Sequence, residues 1–414
     1  MITFIHTADI HFGVENYGRI DPRTGIHTRI LDFQKSLNTC IDAAIARQVD
    51  FFLFAGDAYK TATPNPTQQR LLFDCFLRLF RAQIPVIMVV GNHDNPVSFG
   101  KTHALDLFAQ LPVDGFHVIS QPKIVVLQTK NGPVQIVGIP WPSRTTLALN
   151  MQNLHAREIP QTISTHLARL IENYAKQLDP EIPAVLAGHL TISTAIFSGS
   201  EKRAVYGDDP VLLPSQIALH PFDYVALGHF HRYQNLNPGG YPALVYSGSI
   251  DRIDFGERNE TKGFCHITIP AKGAATHEFI PLQTRAFIKV DITLSTPKQE
   301  GEDQTAQVLQ ALKAHELRNA IVKIVYHLPP DAPDRVDARA VEQACESAQY
   351  IVGILPQYVS TKREQRSTLH QDMDIKTAIT TYLAAKQIPA DRIARITELI
   401  GTLDTGAEKP VLES

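Results

Sequence analysis

The sequence predicts an α/β protein of two sheet layers flanked by helices, followed by a small α+β domain and a pair of C-terminal helices. Three observations carry this prediction. Five short, largely apolar runs each stop at a polar cluster: Phe4-Ile5-His6-Thr7-Ala8 at Asp9 and His11, Phe51 to Ala55 at Gly56-Asp57, Val86 to Val90 at Gly91-Asn92-His93-Asp94, Ala184 to Ala187 at Gly188-His189, and Tyr224 to Leu227 at Gly228-His229-Phe230-His231. Such a run reads as a buried strand, and its carboxyl end is where open α/β sheets bind ligands. Second, helical periodicity fills the intervals between runs. Third, the texture changes past Arg285, where strands and helices alternate without any ligand cluster, and a polar linker then precedes two helices.

The chain has 414 residues, too many for one ordinary core. We divide it into a catalytic domain at 1–284, a capping domain at 285–360, and a linker with a helical partner-binding segment at 361–414. Its 39 basic and 42 acidic residues leave a net charge of −3, so contact with nucleic acid must come from local patches, bound cations or a partner. No apolar run approaches the ~18 residues of a membrane span. A cleaved signal peptide would take Asp9 and His11 with it, so a cytoplasmic chain is expected. The four scattered cysteines, without a C-x-x-C, read as buried free thiols.

From the N-terminus, residues 9–27 form a polar loop with Asn16, Tyr17, Arg19 and Arg23, which reads equally as a substrate lip or as ordinary surface. Ile30, Phe33, Leu37, Ile41, Ala44 and Ile45 recur at helical spacing and complete a β-α-β unit. Asn65-Pro66 caps a helix to about residue 83 with Leu72, Cys75, Phe76, Leu79 and Phe80 as its core stripe. Phe73 and Leu77, with Leu105, Leu107, Phe108 and Leu111 further on, extend the apolar surface, consistent with a sandwiched helix or with a self-association face that makes a homodimer. A second sheet layer is expected from 116 to 140, around the Lys130-Asn131-Gly132 turn, and Trp141 beyond it reads as packing. A helix follows on Leu167, Leu170, Ile171 and Tyr174, and residues 198–203 form a polar segment suited to substrate or to solvent.

Past Arg285 the order is strand 286–294, helix 302–317, strand 320–328, helix 337–348 and strand 350–359. After a polar linker at 360–374 come helices at 375–387 and about 390–403, broken at Ile388-Pro389. Helices of this length are marginal alone, so their apolar stripes need a surface.

Asp, His and Asn are donors suited to Mn²⁺, Fe²⁺, Zn²⁺ or Co²⁺ with positions open to water, and there are more of them than one ion needs. Two ions bridged by a carboxylate favour phosphoester hydrolysis.

The ordered set Asp9-x-His11, Gly56-Asp57, Gly91-Asn92-His93-Asp94, Gly188-His189 and Gly228-His229-x-His231 resembles the calcineurin-like metallophosphoesterase superfamily, whose fold is two mixed sheets flanked by helices. Within it, 7–13, 246–252, Asp254-Phe255-Gly256-Glu257 and the added small domain are similar to the SbcD family of nuclease subunits. The resemblance implies two divalent ions, Mn²⁺ foremost: Asp9, His11 and His231 on one, Asn92, His189 and His229 on the other, and Asp57 between them. It implies that His93 stabilises the transition state or protonates the leaving oxygen, oriented by Asp94. It also implies DNA as substrate, in double-strand break and hairpin processing, and an SbcC-type coiled-coil ATPase gripped by the C-terminal helices. Relatives often carry His or an acid where this chain has Lys60. Two other classes stay open: a stand-alone phosphodiesterase on a nucleotide or other small phosphodiester, and a metal-free scaffold.

Overall fold

The computed structural model describes residues 1–96, 102–143, 147, 155, 158–199, 209–295, 303–329, 332–358, 375–386 and 388–404. Two six-stranded sheets form its body. The first runs edge to edge through Thr276–Pro281 (β14), Gly263–Ile269 (β13), Ile2–Thr7 (β1), Phe51–Phe54 (β2), Val86–Val89 (β3) and Phe116–Ile119 (β4). The second runs through Gln234–Asn235 (β11), Ala243–Tyr246 (β12), Tyr224–Gly228 (β10), Ala184–His189 (β7), Gly132–Ile139 (β6) and Lys123–Thr129 (β5). A two-stranded ribbon, Thr191–Ile192 (β8) with Val211–Leu212 (β9), lies apart from both.

β1, β2, β3 and β4 are mutually parallel, as are β6, β7, β10 and β12, with antiparallel strands only toward the edges. Parallel pairing puts the carboxyl ends of β1, β2 and β3 on one edge of the first sheet, and those of β7 and β10 on one edge of the second. One expectation is corrected here. The strand at 116–119 pairs with β3 and closes the first sheet, so the second layer begins only at Lys123, after Ser120-Gln121-Pro122.

The period of two along each strand sorts the core into layers. Phe4, Phe51, Leu53, Ile87 and Val89 face Ile136, Val185, Ala187 and Ala226 between the sheets. Ile5, Phe52, Phe54 and Met88 point outward, against Thr28–Ala46 (α1) and Pro66–Arg81 (α2). Asn65 caps α2 in a reciprocal box with Gln68, Oδ1 accepting from the Gln68 amide at 2.9 Å. The stretch with Leu105, Leu107, Phe108 and Leu111 holds a single helical turn, Asp106–Ala109 (α3), with Phe108 buried and Leu107 exposed. On the far side, Ile159–Gln177 (α4) and Pro214–Ile217 (α5) cover the second sheet.

The remaining described residues build a parallel three-stranded sheet of Phe287–Thr293 (β15), Ile321–Leu328 (β16) and Tyr350–Tyr358 (β17), with Gln304–Leu312 (α6) and Ala338–Ala344 (α7) on one face. It has its own apolar cluster, including Val290, Val308, Ile324 and Val341. Arg285 fastens it to the body: Nε and Nη2 donate to the two oxygens of Asp32 on α1 at 2.8 and 2.6 Å. Ile375–Ala385 (α8) and Ala390–Asp404 (α9) pair with each other. No described helix is long and apolar enough to cross a membrane. All four cysteines are free and buried.

Candidate metal centre

The strand ends converge. Asp9 and His11 follow β1, Asp57 follows β2, Asn92 and His93 follow β3, His189 closes β7, and His229 and His231 follow β10. Four of these residues have a positive φ: Asp9 (52°), His11 (47°), Asp57 (60°) and His229 (106°). Each left-handed residue other than glycine costs roughly 1–3 kcal/mol, and such strain concentrates at functional sites. Here it is held by hydrogen bonds across the two sheets. The His229 amide donates to both Asp9 oxygens at 3.0 and 3.1 Å, and the Asp9 amide donates to the Gly56 carbonyl at 2.9 Å. Gly91 and Gly228 permit the close approach: a Cβ on Gly91 would fall 2.1 Å from Asp57 Oδ1, and one on Gly228 would fall 2.2 Å from the Ala55 carbonyl oxygen.

The donors cluster around Asp57. Asp9, His11 and His231 form one group, Asp9, Asp57 and His189 another, and His11, Asp57 and the exposed His93 a third, each with donor atoms within 4.8 Å of one another. His11 Nε2 lies 3.0 Å from His231 Nε2 and 3.6 Å from Asp57 Oδ2. His189 Nε2 lies 2.9 Å from Asn92 Oδ1 and 3.4 Å from Asp57 Oδ2, and His229 Nδ1 lies 3.3 Å from the same Asn92 oxygen.

The imidazoles test whether cations fit. His231 Nδ1 donates to Glu257 Oε1 at 2.8 Å and His189 Nδ1 donates to the Ala55 carbonyl at 2.8 Å. Both rings therefore turn Nε2 into the site, as metal-ligating histidines do when a carboxylate or carbonyl holds the other nitrogen. Two Nε2 atoms at 3.0 Å repel unless a proton or a cation lies between them. The residues around Asp57 have the donor chemistry and the spacing that divalent cations take.

Charge is concentrated here in a water-poor space. Burial would push Asp57 up, but His189, His11 and His93 outweigh it and hold the carboxyl well below the usual range. Burial would lower His189, but Asp57 and Asp9 raise it to about 9. Burial pushes Asp9 up to about 6 despite the pull of His189 and His231. Burial also drives His11 well below its ordinary value.

His93 and Asp94 have separate hydrogen-bond partners. Asp94 is fully buried, and its carboxylate accepts from the amides of Asp57 (2.9 Å), Ala58 (2.9 Å), Tyr59 (3.2 Å) and Gly91 (3.1 Å). Burial and the adjacent Asp57 push it up to about 7. His93 is exposed, and its Nδ1 donates to the Lys60 carbonyl at 2.8 Å.

Three neighbours of the site were given no place in it by the sequence reading. Trp141, just past β6, sets its ring 4.8 Å from that of His229 and 6.0 Å from that of His189. Its place at a strand's carboxyl end was the available signal. Asp209 lies 3.4 Å from His229 Nε2. Glu257 holds His231 from a short 3-10 helix, Phe255–Glu257, with no apolar run before it to mark the site. Of the polar segment 198–203, only Ser198 and Gly199 are among the described residues.

Residues 2–233 match the family model of calcineurin-like phosphoesterases, and the chain belongs to that family of metal-dependent phosphoester hydrolases. Among curated proteins it is similar to the SbcD subunit of the SbcCD nuclease of Staphylococcus epidermidis, 26% identical over 291 residues that cover 69% of this chain and 71% of that one. Among solved structures, a 5'-nucleotidase precursor from Thermus thermophilus aligns at 18% identity and a TM-score of 0.37, over 68% of this chain and 54% of the other, so the match spans about half of the nucleotidase. A dimetal phosphatase from Danio rerio aligns at 11% identity and a TM-score of 0.41, over 68% of this chain and 98% of that protein.

Proposed function

We propose that this chain is the nuclease subunit of a DNA-processing complex, hydrolysing phosphodiester bonds with two divalent ions, Mn²⁺ foremost, beside an SbcC-type coiled-coil ATPase. The observation that supports the hydrolysis is the convergence of seven donors, Asp57 at their centre, at five strand ends. Similarity to the SbcD subunit of the SbcCD nuclease supports DNA as the substrate.

When bound, the ions supply positive charge to the attacking and phosphoryl oxygens of an in-line displacement. The chain's own residues do the rest. Asp57 receives the His93 amide on Oδ1 at 2.9 Å, which ties the β3 turn to the shared carboxylate. His93, with Nδ1 engaged by the Lys60 carbonyl and its ring 4.8 Å from that of His11, keeps Nε2 as the nitrogen that can donate to a leaving oxygen. Trp141 walls the second set against water.

The C-terminal hairpin supports the partner. Ile379, Leu383, Ile393 and Ile396 are only half-buried and Tyr382 is 47% exposed, so the apolar stripe of α8 and α9 still has surface to bury by helix-in-groove packing. We assign the α2–α3 face, with half-buried Phe73 and Leu77 and exposed Leu107, to a homodimer within the complex.

The test is cleavage of duplex and hairpin DNA with Mn²⁺, with and without the ATPase. Metal-dependent scission stimulated by ATP and the partner is expected. Hydrolysis of nucleotides or small phosphodiesters with DNA left intact under every condition would transfer the site to the stand-alone phosphodiesterase reading.

A further inference from the structure

The small domain reaches the turn that carries Glu257 through two residues. Phe287, the first residue of β15, sits 5.0 Å from the Phe255 ring and 5.8 Å from the Tyr17 ring, beneath the Arg29 guanidinium at 5.3 Å. Lys323 Nζ lies 5.9 Å above the Phe255 ring. Phe287 pairs with Ile321, two residues before Lys323, so both stand on the sheet face opposite α6 and α7. Two residues beyond Phe255 is Glu257, whose Oε1 accepts from His231 Nδ1 at 2.8 Å.

Glu257 is fully buried, and both its oxygens are engaged. Oε2 accepts from Lys262 Nζ at 2.8 Å and from the Ile253 amide at 3.0 Å. Lys262 Nζ also donates to the His231 carbonyl at 2.9 Å, so the pair grips both ends of that histidine. A buried ion pair adds little stability over apolar residues of similar volume, whereas a carboxylate on a ligand's second nitrogen sets tautomer and ring direction. The 3-10 helix that carries Glu257 is three residues long. It is held by the Asp254 cap to the Gly256 amide at 2.7 Å, by the Asn16 side chain on the Ile253 carbonyl at 2.7 Å, and by the Gly199 backbone, against which a Cβ on Gly256 would fall at 2.6 Å. Its outer side rests on Phe287.

We propose that Glu257 is the positioning residue of the ion held by Asp9, His11 and His231, and that the Phe255-Gly256-Glu257 turn makes that ion's affinity depend on the seating of the small domain through Phe287. This rests on the two-ion reading above. Withdrawing Phe287 and Lys323 removes the outer support of the turn. A displacement of about 1 Å takes the carboxylate out of hydrogen-bond range of His231, whose ring then turns freely. Among the described residues, Asn92, His189 and His229 have no such link to the small domain, and they keep their geometry.

The experiment is calorimetric titration of the full metal-free chain with Mn²⁺, with the visible absorption of the Co²⁺-loaded protein as a second readout. Wild type is expected to bind two ions. Glu257→Ala should weaken one of them by about 10- to 100-fold, the range for loss of a ligand's hydrogen-bond partner, and leave the other within about twofold. Phe287→Ala should weaken the same ion, and Phe287→Leu should restore it. Where Phe287→Ala unsettles the small domain, Phe255→Ala approaches the contact from the other side and carries the same expectation. Equal loss at both ions, or full affinity in both the Phe287→Ala and Phe255→Ala proteins, overturns the inference. A wild-type chain that binds fewer than two ions overturns the two-ion reading, and this inference with it.

Discussion

Replacing Asp94 separates a structural carboxylate from a catalytic one. Its two oxygens accept four amides, from Asp57, Ala58, Tyr59 and Gly91, at 2.9 to 3.2 Å in a fully buried site. Alanine leaves four donors without an acceptor, each costing ~1–3 kcal/mol if dry. A water entering the vacated space satisfies two or so, and the relieved repulsion with Asp57 offsets a further part. About 3 kcal/mol of net destabilisation remains, a large fraction of a typical 5–15 kcal/mol. Asparagine keeps one oxygen, enough for Ala58 and Tyr59, and sets its NH₂ against the Asp57 and Gly91 amides, so about half the loss is expected. Urea unfolding of wild type, Asp94→Asn and Asp94→Ala measures the ranking, and Mn²⁺ titration should show affinity falling in the same order as the Asp57 loop loosens. An Asp94→Ala protein with wild-type stability and full metal content, yet turnover down a hundredfold or more, would refute the reasoning and return Asp94 to the chemistry.

Asp57→Asn should weaken both ions, because the shared charge serves each set, whereas His93→Ala should keep both and lose about 10²- to 10⁴-fold in turnover; metal analysis of the two purified proteins, with rates on a small phosphodiester, decides between these roles. Metal affinity should rise with pH. His189 lies at about 9 in the metal-free chain, so below that pH an ion must displace a proton from Nε2, and apparent affinity should climb by up to about tenfold per unit until pH 9 and then level; titrations in buffers of different ionisation enthalpy would count the proton released, and a flat profile would contradict the protonated pair. A chain ended after Gln371 should hydrolyse a small phosphodiester at a near-normal rate while failing to co-purify with the ATPase and losing ATP-stimulated duplex cleavage. Unfolding, or loss of the small-substrate activity, would place α8 and α9 in the core.

The layering of the sheets and the metal site differ in how far a linear sequence displays them. A parallel strand must be apolar on both faces and must end in the open, so the residues after β1, β2, β3, β7 and β10 announce themselves by what precedes them. The layer to which a strand belongs leaves no such mark. Phe116–Ile119 has the pattern of the strands that follow it, and only its pairing with Val86–Val89 puts it in the first sheet. Supports that act through space are equally hidden, since the Glu257 contact with His231 spans 26 positions and depends on a turn whose partners lie in three other segments.

Adjacency misleads in the opposite direction. His93 and Asp94 are neighbours in sequence, yet one is exposed and the other buried, and their hydrogen-bond partners are separate. What meets the imidazole is the carbonyl of Lys60, three positions beyond Asp57. A carbonyl is the same whatever side chain the residue bears, so the lysine in place of a histidine or an acid leaves the anchoring of His93 intact. The Phe12 carbonyl receives the Lys60 amide at 3.1 Å and fixes this backbone from the other side. The Lys60 side chain is exposed, so under the nuclease function proposed above its charge would bear on how substrate is held and not on the anchoring of His93.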